Sequence, residues 1–373
     1  MKNLRNEFPM MGQYTYLNTA ATGLLSETVF DYRQDQNLDM LTQASIFRDE
    51  KSNLYAEVRE ALAEFYKAEA NKIALMPSFS FGFNALLEGL PAKSKVLLLK
   101  GDYPSINLPV EARDFEVCYA EIDENLEMNV SAAVKEHQPD VFVFSVVQYI
   151  SGIKIDLDFL KELKKENPNL LIVGDGTQFC GTEIFNFQES GIDVFGASAY
   201  KWLNAGFGNA FFLFKEEVAE RVYPKAVGFG SNIGKYKQEE NAFIGKFEPG
   251  HLDTSNIGSI KAALQLQEKI GVEEIERQVK ELKILAKAEF EKLNLLEEKV
   301  AKRKDHSSLF NIKGTTELFN FLNNRGVVCS QRGEGIRVSF HYYNTEEDLA
   351  ALTSRPDFVS LVQVVIATLG LLD

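Results

Sequence analysis

The chain predicts an α/β fold built on a mostly parallel sheet, with a smaller α+β part behind it. Three observations point there. Short runs apolar on both faces alternate with longer segments of helical spacing, no repeat or low-complexity stretch interrupts them, and the texture changes after about Asn256. Strands buried on both faces read as continuous apolar runs, which suits a parallel sheet covered by helices. At 373 residues the chain exceeds what one hydrophobic core usually supports, so a large domain with a smaller companion is expected.

Taken in order, KVLLLK (Lys95 to Lys100), VFVFSVV (Val141 to Val147), LLIVGD (Leu170 to Asp175), DVFGAS (Asp193 to Ser198) and AFFLF (Ala210 to Phe214) are the central strand candidates. Between them, DLDFLKELKKENP (Asp156 to Pro168) spaces its leucines for a helix and stops at proline. Beyond Asn256 a long, charged, heptad-like segment without strand-like runs predicts one or two amphipathic helices. The segments SSLFNIK, VVCS and GIRVSFHYYN are shorter strand candidates around an amphipathic piece, TTELFNFLNN. These readings divide the chain into an N-terminal segment (1–25), a large α/β domain (26–259) and a small α+β domain (260–373).

Composition narrows the function. A formal net charge of -14 leaves no basic excess to neutralise phosphates, which argues against nucleic acid or an anionic membrane as partner. Cys118, Cys180 and Cys329 are widely spaced, without a CxxC pair, which fits a reducing compartment and gives no metal site. The opening MKNLRNEFPMMGQYTYLN has no continuous apolar segment of the kind that makes a signal peptide or membrane anchor, so a cytoplasmic protein is expected.

Two charged residues break apolar runs where chemistry would sit. Asp175 ends the run LLIVGD and Lys201 follows IDVFGAS. The carboxyl ends of parallel strands are where α/β proteins bind ligands. A lysine held in a partly apolar place has its pKa lowered, and its neutral amine is then a nucleophile. Pyridoxal phosphate needs such a lysine, together with an acidic residue against its ring nitrogen. In MPSFSFGFNALLEGLP, Ser78 or Ser80 marks a helix start whose free N–H groups attract an anion, and Ser198 and Tyr200 can add hydroxyl donors. Taken alone, this fragment reads more readily as an ordinary helix cap.

The motifs YLNTAATG, MPSFSFGFNAL, GDYPS, VVQYISG, VGDGTQFCG, SAYKWLNAGFGNAFF, FEPGHLDTSNIGSI and GIRVSFHYYNTEED follow one another along most of the chain. In that order the sequence resembles the class V aminotransferase family of fold type I pyridoxal-phosphate enzymes. Cysteine desulfurases, selenocysteine lyases, isopenicillin N epimerases and kynureninases are members. The resemblance implies pyridoxal 5'-phosphate as cofactor, an amino acid as substrate, and a homodimer with active sites at its interface.

By position, the resemblance makes Lys201 the Schiff-base lysine and proton shuttle, Asp175 the partner of the pyridine nitrogen, and Gln178 the donor to the cofactor's phenolic oxygen. Ser80, the backbone around Phe79, Ser198 and Tyr200 fall on phosphate-binding positions. Tyr103 takes the place of the ring that stacks on the cofactor, where desulfurases use histidine. Arg337 matches the arginine that takes the substrate carboxylate, a role suited to a planar fork of donors. Asn18, Ala20 and Gln148 fall near substrate-facing positions. In FEPGH, a segment that reaches the neighbouring subunit's phosphate in relatives, His251 stands where threonine is usual, and Thr254 is the substitute.

Desulfurases need a nucleophilic cysteine on a flexible loop before the substrate arginine. Here Cys329 lies inside the apolar run VVC and QRGEG after it has none, so Cys329 is read as a core residue, as is Cys180. The expected activity is therefore that of an aminotransferase or lyase acting through Lys201. An epimerase, a kynureninase-like hydrolase and a cofactor-binding protein without catalysis are the alternatives.

Overall fold

The computed structural model describes residues 4–50, 53–231 and 242–353. The end of the small domain expected at 260–373 therefore lies outside the described residues. The chain opens with β1 (Thr15–Tyr16), α1 (Glu27–Gln43), α2 (Ser45–Glu50) and α3 (Leu54–Tyr66). There follow β2 (Ile73–Met76), α4 (Phe79–Gly89), β3 (Lys95–Leu99), α5 (Pro104–Glu111), β4 (Glu116–Ala120), α6 (Leu126–His137) and β5 (Val141–Ser145). The large sheet is completed by α7 (Leu157–Glu166), β6 (Leu171–Asp175), β7 (Val194–Ser198) and β8 (Ala210–Phe214).

In space the strands run β2-β8-β7-β6-β5-β3-β4. From β7 to β4 every pairing is parallel, whereas β8 is antiparallel to both β7 and β2. The architecture is thus the mostly parallel α/β sheet that the apolar runs imply. Each residue of β5, β6, β7 and β8 is buried, which is why these segments carry no polar alternation. At the edge, β4 leaves Glu116 and Tyr119 exposed. Helix α7 begins where Asp156 accepts from the N–H groups of Asp158 and Phe159, at 2.8 and 3.4 Å.

The long charged segment forms α8 (Thr254–Ile270) and α9 (Val272–Lys292). Gly271 divides them at φ +99°, a conformation that a side chain would strain. Along α9, Ile275, Val279, Leu282, Ala286 and Phe290 are buried, the three-and-four spacing of one helix face. Helix α8 crosses residue 260 and packs on α1 and α3, so it bridges the two parts of the chain. Behind it come α10 (Glu298–Ala301), β9 (Leu309–Lys313), α11 (Thr316–Asn324), β10 (Val327–Val328), β11 (Ser330–Arg332), β12 (Gly335–Ser339) and α12 (Glu346–Thr353). Strands β11, β12 and β9 form an antiparallel sheet, and β10 pairs in parallel with β1. Among the described residues no helix is long and apolar enough to cross a membrane.

Strands β4 and β5 lie on opposite sides of β3, so the winding direction reverses there and opens a crevice at the carboxyl edge. Four polar residues arrive at that edge: Asp102 just after β3, Ser145 ending β5, Asp175 ending β6 and Ser198 ending β7.

Candidate active site

Lys201 sits in a tight turn after β7. Ala205 N–H donates to the Ala199 carbonyl at 3.0 Å, and Asn204 N–H to the Lys201 carbonyl at 3.2 Å. Asn204 holds φ +59° in this turn and anchors it by donating from Nδ2 to the Leu24 carbonyl at 2.9 Å. The N-terminal loop lies directly on the turn. Gly23 N–H donates to the Tyr200 carbonyl at 3.0 Å, and a Cβ on Gly23 would meet the Lys201 carbonyl oxygen at 1.8 Å.

The lysine side chain is only 6% exposed, and its Nζ lies 5.6 Å from the ring centres of both Tyr103 and Tyr200. Burial lowers its pKa, Asp175 works against that, and the Arg337 and Arg332 guanidiniums add to it. Asp175, 5% exposed, is raised by burial, with the Thr177 hydrogen bonds and Lys201 opposing. One Asp175 oxygen accepts from Thr177 N–H at 2.8 Å.

These side chains line a cavity of about 130 Å³, together with Ser78, Phe79, Ser80, Ser198 and Gln178. The start of α4 forms one end. Ser78 caps the helix by accepting from Phe81 N–H, and Ser198 Oγ accepts from Phe79 N–H at 2.9 Å. Ser198 N–H in turn donates to Thr177 Oγ1 at 3.1 Å. Ser198 and the start of α4 therefore meet at one end of the cavity, where the helix dipole favours an anion.

Opposite, Tyr103 is fixed by Asp102, whose carboxylate accepts from Tyr103 N–H and from Ser145 N–H, each at 2.7 Å. Burial raises the Asp102 pKa. The Tyr103 ring meets Tyr149 edge-on at 5.2 Å, and Tyr149 also lines the cavity. The neighbouring Gln148 does not. Its Oε1 accepts from Ile150 N–H, Ser151 N–H and Ser151 Oγ–H at 2.8, 2.6 and 2.9 Å, which closes the turn and points Tyr149 inward.

Gln178 is oriented by two partners. Trp202 Nε1–H donates to Gln178 Oε1 at 2.7 Å, and Gln178 Nε2 donates to the Ala20 carbonyl at 2.9 Å. An indole nitrogen can only donate, so the amide's NH2 end faces Ala20 and the cavity. Ala20 N–H is held by Ser339 Oγ at 3.1 Å. Behind the turn, His341 Nε2 contacts the Trp202 carbonyl at 2.7 Å, and burial pulls the His341 pKa down to about 3, so the ring is neutral.

Arg337, on β12, is 3% exposed, and its NH1 donates to the Tyr149 carbonyl at 2.8 Å while Nε has no partner. Burial first, then Arg332, pulls its pKa down to about 10. Among the described residues the Asn18 Oδ1 atom, too, is buried without a partner. His251 is exposed and stacks on Phe229, and Thr254 begins α8; neither lines the cavity of its own chain. Sequence reasoning assigned no role to Tyr149, Ser145 or Thr177, although Ser145 interrupts the apolar run VFVFSVV and the other two lie inside quoted motifs.

The thiols lie elsewhere. Cys180 and Cys329 are buried, Cys118 is half-buried on β4, and none lines the cavity. Burial pushes the Cys329 thiol up to about 12 and raises Cys180 as well. A wider cleft of about 840 Å³ lies near α7, where Lys154 pairs with Glu183 at 2.8 Å and Arg303 with Glu127 at 2.6 Å.

The donor set fits pyridoxal phosphate. A buried carboxylate whose burial opposes ionisation wants a cation against it, a ring nitrogen that is protonated supplies one, and the α4 start wants an anion at the other end. This sheet, with a buried lysine at its carboxyl edge, is the architecture of a fold type I pyridoxal-phosphate enzyme. The chain belongs to the class V aminotransferase family, whose profile, Aminotransferase class-V, matches residues 15–352. It is 25% identical over 356 residues to the uncharacterized aminotransferase YcbU of Bacillus subtilis, covering 92% of this chain and 94% of that one. A probable cysteine desulfurase of Ureaplasma parvum is 25% identical over 90% of this chain and 91% of its own. Among solved structures, the cysteine desulfurase of Thermococcus onnurineus superposes with a TM-score of 0.84 at 19% identity, over 97% of this chain and 98% of that one. The family resemblance, the α/β fold and the cofactor expected from the sequence are thereby borne out.

Proposed function

We propose that this pyridoxal-phosphate enzyme is an aminotransferase or lyase acting on an amino acid, with Lys201 as the covalent anchor and no cysteine nucleophile. The observation that carries this reading is the buried Lys201 amine, held near Asp175 between Tyr103 and Tyr200, in a cavity that no thiol lines. When bound, pyridoxal phosphate supplies an electrophilic aldehyde and a ring that accepts electrons from the substrate. The chain's own groups do the rest. The lowered pKa of Lys201 keeps a fraction of its Nζ neutral, able to attack a carbonyl and later to carry a proton. Asp175 would hold the ring nitrogen protonated, Gln178 Nε2 would donate to the phenolic oxygen, and Tyr103 would cover the ring. Phe79, Ser80, Ser198 and Tyr200 bind the phosphate. Arg337 takes the substrate carboxylate through the donors that now lack a partner, with Asn18 and Ala20 bordering the substrate and Gln148 shaping the turn beside it.

A homodimer fits the same reading. His251 and Thr254 lie away from their own cavity, where a neighbour could use them, and Phe81 and Phe207 beside the site are 68% and 59% exposed. The unpaired cysteines agree with a cytoplasmic setting. The test is direct. Purified protein is yellow, borohydride fixes the cofactor on Lys201, and an amino-acid panel changes the visible spectrum, with keto acid, alanine and racemised product assayed separately. A protein that takes up no added cofactor, or a label on another lysine, refutes it.

A further inference from the structure

A second guanidinium, exposed and without an ion pair among the described residues, lies beside Arg337. In the β11–β12 hairpin Arg332 stands opposite Gly335 and Ser330 opposite Arg337. Residues opposite one another share a face in an antiparallel pair, as do residues two apart on a strand. Arg332 and Arg337 therefore project from the same face as diagonal neighbours, about 7–8 Å apart with their Cβ atoms somewhat closer. Arg337 NH1 donates to the Tyr149 carbonyl at 2.8 Å, which sets that face against the residue whose side chain lines the cavity; neither arginine lines the cavity itself, and Arg332 is exposed beside it. The hairpin turn lies on the same segment: a Cβ on Gly333 would touch Ile150 at 3.4 Å, and Asn311 Nδ2 donates to the Arg332 carbonyl at 2.9 Å.

Like charges repel most when directly opposite, and at this diagonal spacing the repulsion is weaker but favours an anion between the two guanidiniums. Among the described residues neither arginine forms an ion pair. Arg332 NH1 reaches only the Gln331 carbonyl, at 3.1 Å, and Arg337 Nε, Ser330 Oγ and Asn311 Oδ1 are buried without partners on that face. The Arg332 charge is also felt inside the site, where it helps lower Lys201 and Arg337. One carboxylate accounts for Arg337 and leaves Arg332 unmatched.

We propose that Arg332 selects the substrate side chain, so that the enzyme acts on α-amino acids whose side chain ends in an anion, a carboxylate or a sulfinate. This rests on the reading of the Lys201 site as an amino-acid site. Arg337 takes the α-carboxylate, and Arg332, at the solvent edge, takes the side-chain acid. A guanidinium discriminates an acid from its amide through charge-assisted hydrogen bonds that the amide cannot match.

The test titrates the holoenzyme with aspartate, glutamate and cysteine sulfinate against asparagine, glutamine and alanine, reading the change in the cofactor's visible band. At least one acid binds about tenfold or more tightly than its amide, the ratio expected of a charged hydrogen bond. In R332Q that ratio falls toward one, and R332E turns the preference toward lysine or ornithine. Equal affinity for acids and amides in the parent enzyme, or an undiminished ratio in R332Q, overturns the proposal. If no amino acid perturbs the band, the amino-acid reading itself falls and this inference with it. Far-ultraviolet dichroism and retained cofactor separate either result from misfolding.

Discussion

Replacing Trp202 by phenylalanine tests how the site is aligned. The indole is buried and its N–H donates to Gln178 Oε1 at 2.7 Å, while Gln178 Nε2 donates to Ala20. Phenylalanine keeps an aromatic ring but leaves a buried amide oxygen unpaired, at a cost of about 1–3 kcal/mol. The smaller ring adds a packing loss, so the single variant overstates the hydrogen bond. A double-mutant cycle with Gln178→Met removes that ambiguity, because packing terms cancel and the coupling should be about 1–3 kcal/mol. Urea unfolding of the cofactor-free protein reads the cycle. In the holoenzyme, an amide free to turn no longer holds its donor toward the cavity, so the visible band of W202F should shift its position or its pH midpoint. A coupling below about 0.5 kcal/mol with an unchanged band would refute the alignment role.

Three further outcomes follow. Lys201 has a lowered pKa through burial, so between its native and unfolded values the unfolded chain binds more protons. Stability of the cofactor-free protein therefore rises with pH as the ordinary lysine value of ~10.4 is approached from below, and Lys201→Met flattens that limb in chemical denaturation. Arg337→Ala should weaken amino-acid binding by about tenfold to a hundredfold while the cofactor stays bound, measured by spectral titration; unchanged affinity removes its assigned role. Gly23→Ala drives a methyl into the Lys201 carbonyl oxygen, and a drop of about 1–3 kcal/mol with a disturbed cofactor spectrum is expected, read by unfolding and absorbance.

The sequence made the middle of the sheet legible and left its borders obscure for a physical reason. Strands β5 to β8 are buried throughout, so their apolar runs stand out. β4 is an edge strand with exposed Glu116, and β2 has four residues between Lys72 and Pro77, so neither forms a conspicuous run. The pairing of Thr15 with Val327 joins two-residue strands that carry no local signal. In the site, Lys201 and Asp175 were legible because charge at the end of an apolar run needs explaining. Arg337 needed the family resemblance, since an arginine in GIRVS is unremarkable by itself. Tyr149 was hidden because the turn that Gln148 closes decides which of two neighbours faces the cavity, and such a bond leaves no pattern. Trp202 contributes an N–H whose direction only the fold reveals.

The cavity walls come from the carboxyl ends of the strands and the start of α4, and a further loop lies over the Lys201 turn, segments that are far apart in the chain and meet only once the sheet is assembled. An unfolded chain offers no such enclosure, so vitamin supply is coupled to survival of the protein itself. Ligand at a hundred times its dissociation constant adds about 2.7 kcal/mol to a fold that binds it only when native. A cell short of pyridoxal phosphate would thus lose enzyme to proteolysis as well as activity to vacancy, and the melting temperature would report the vitamin concentration.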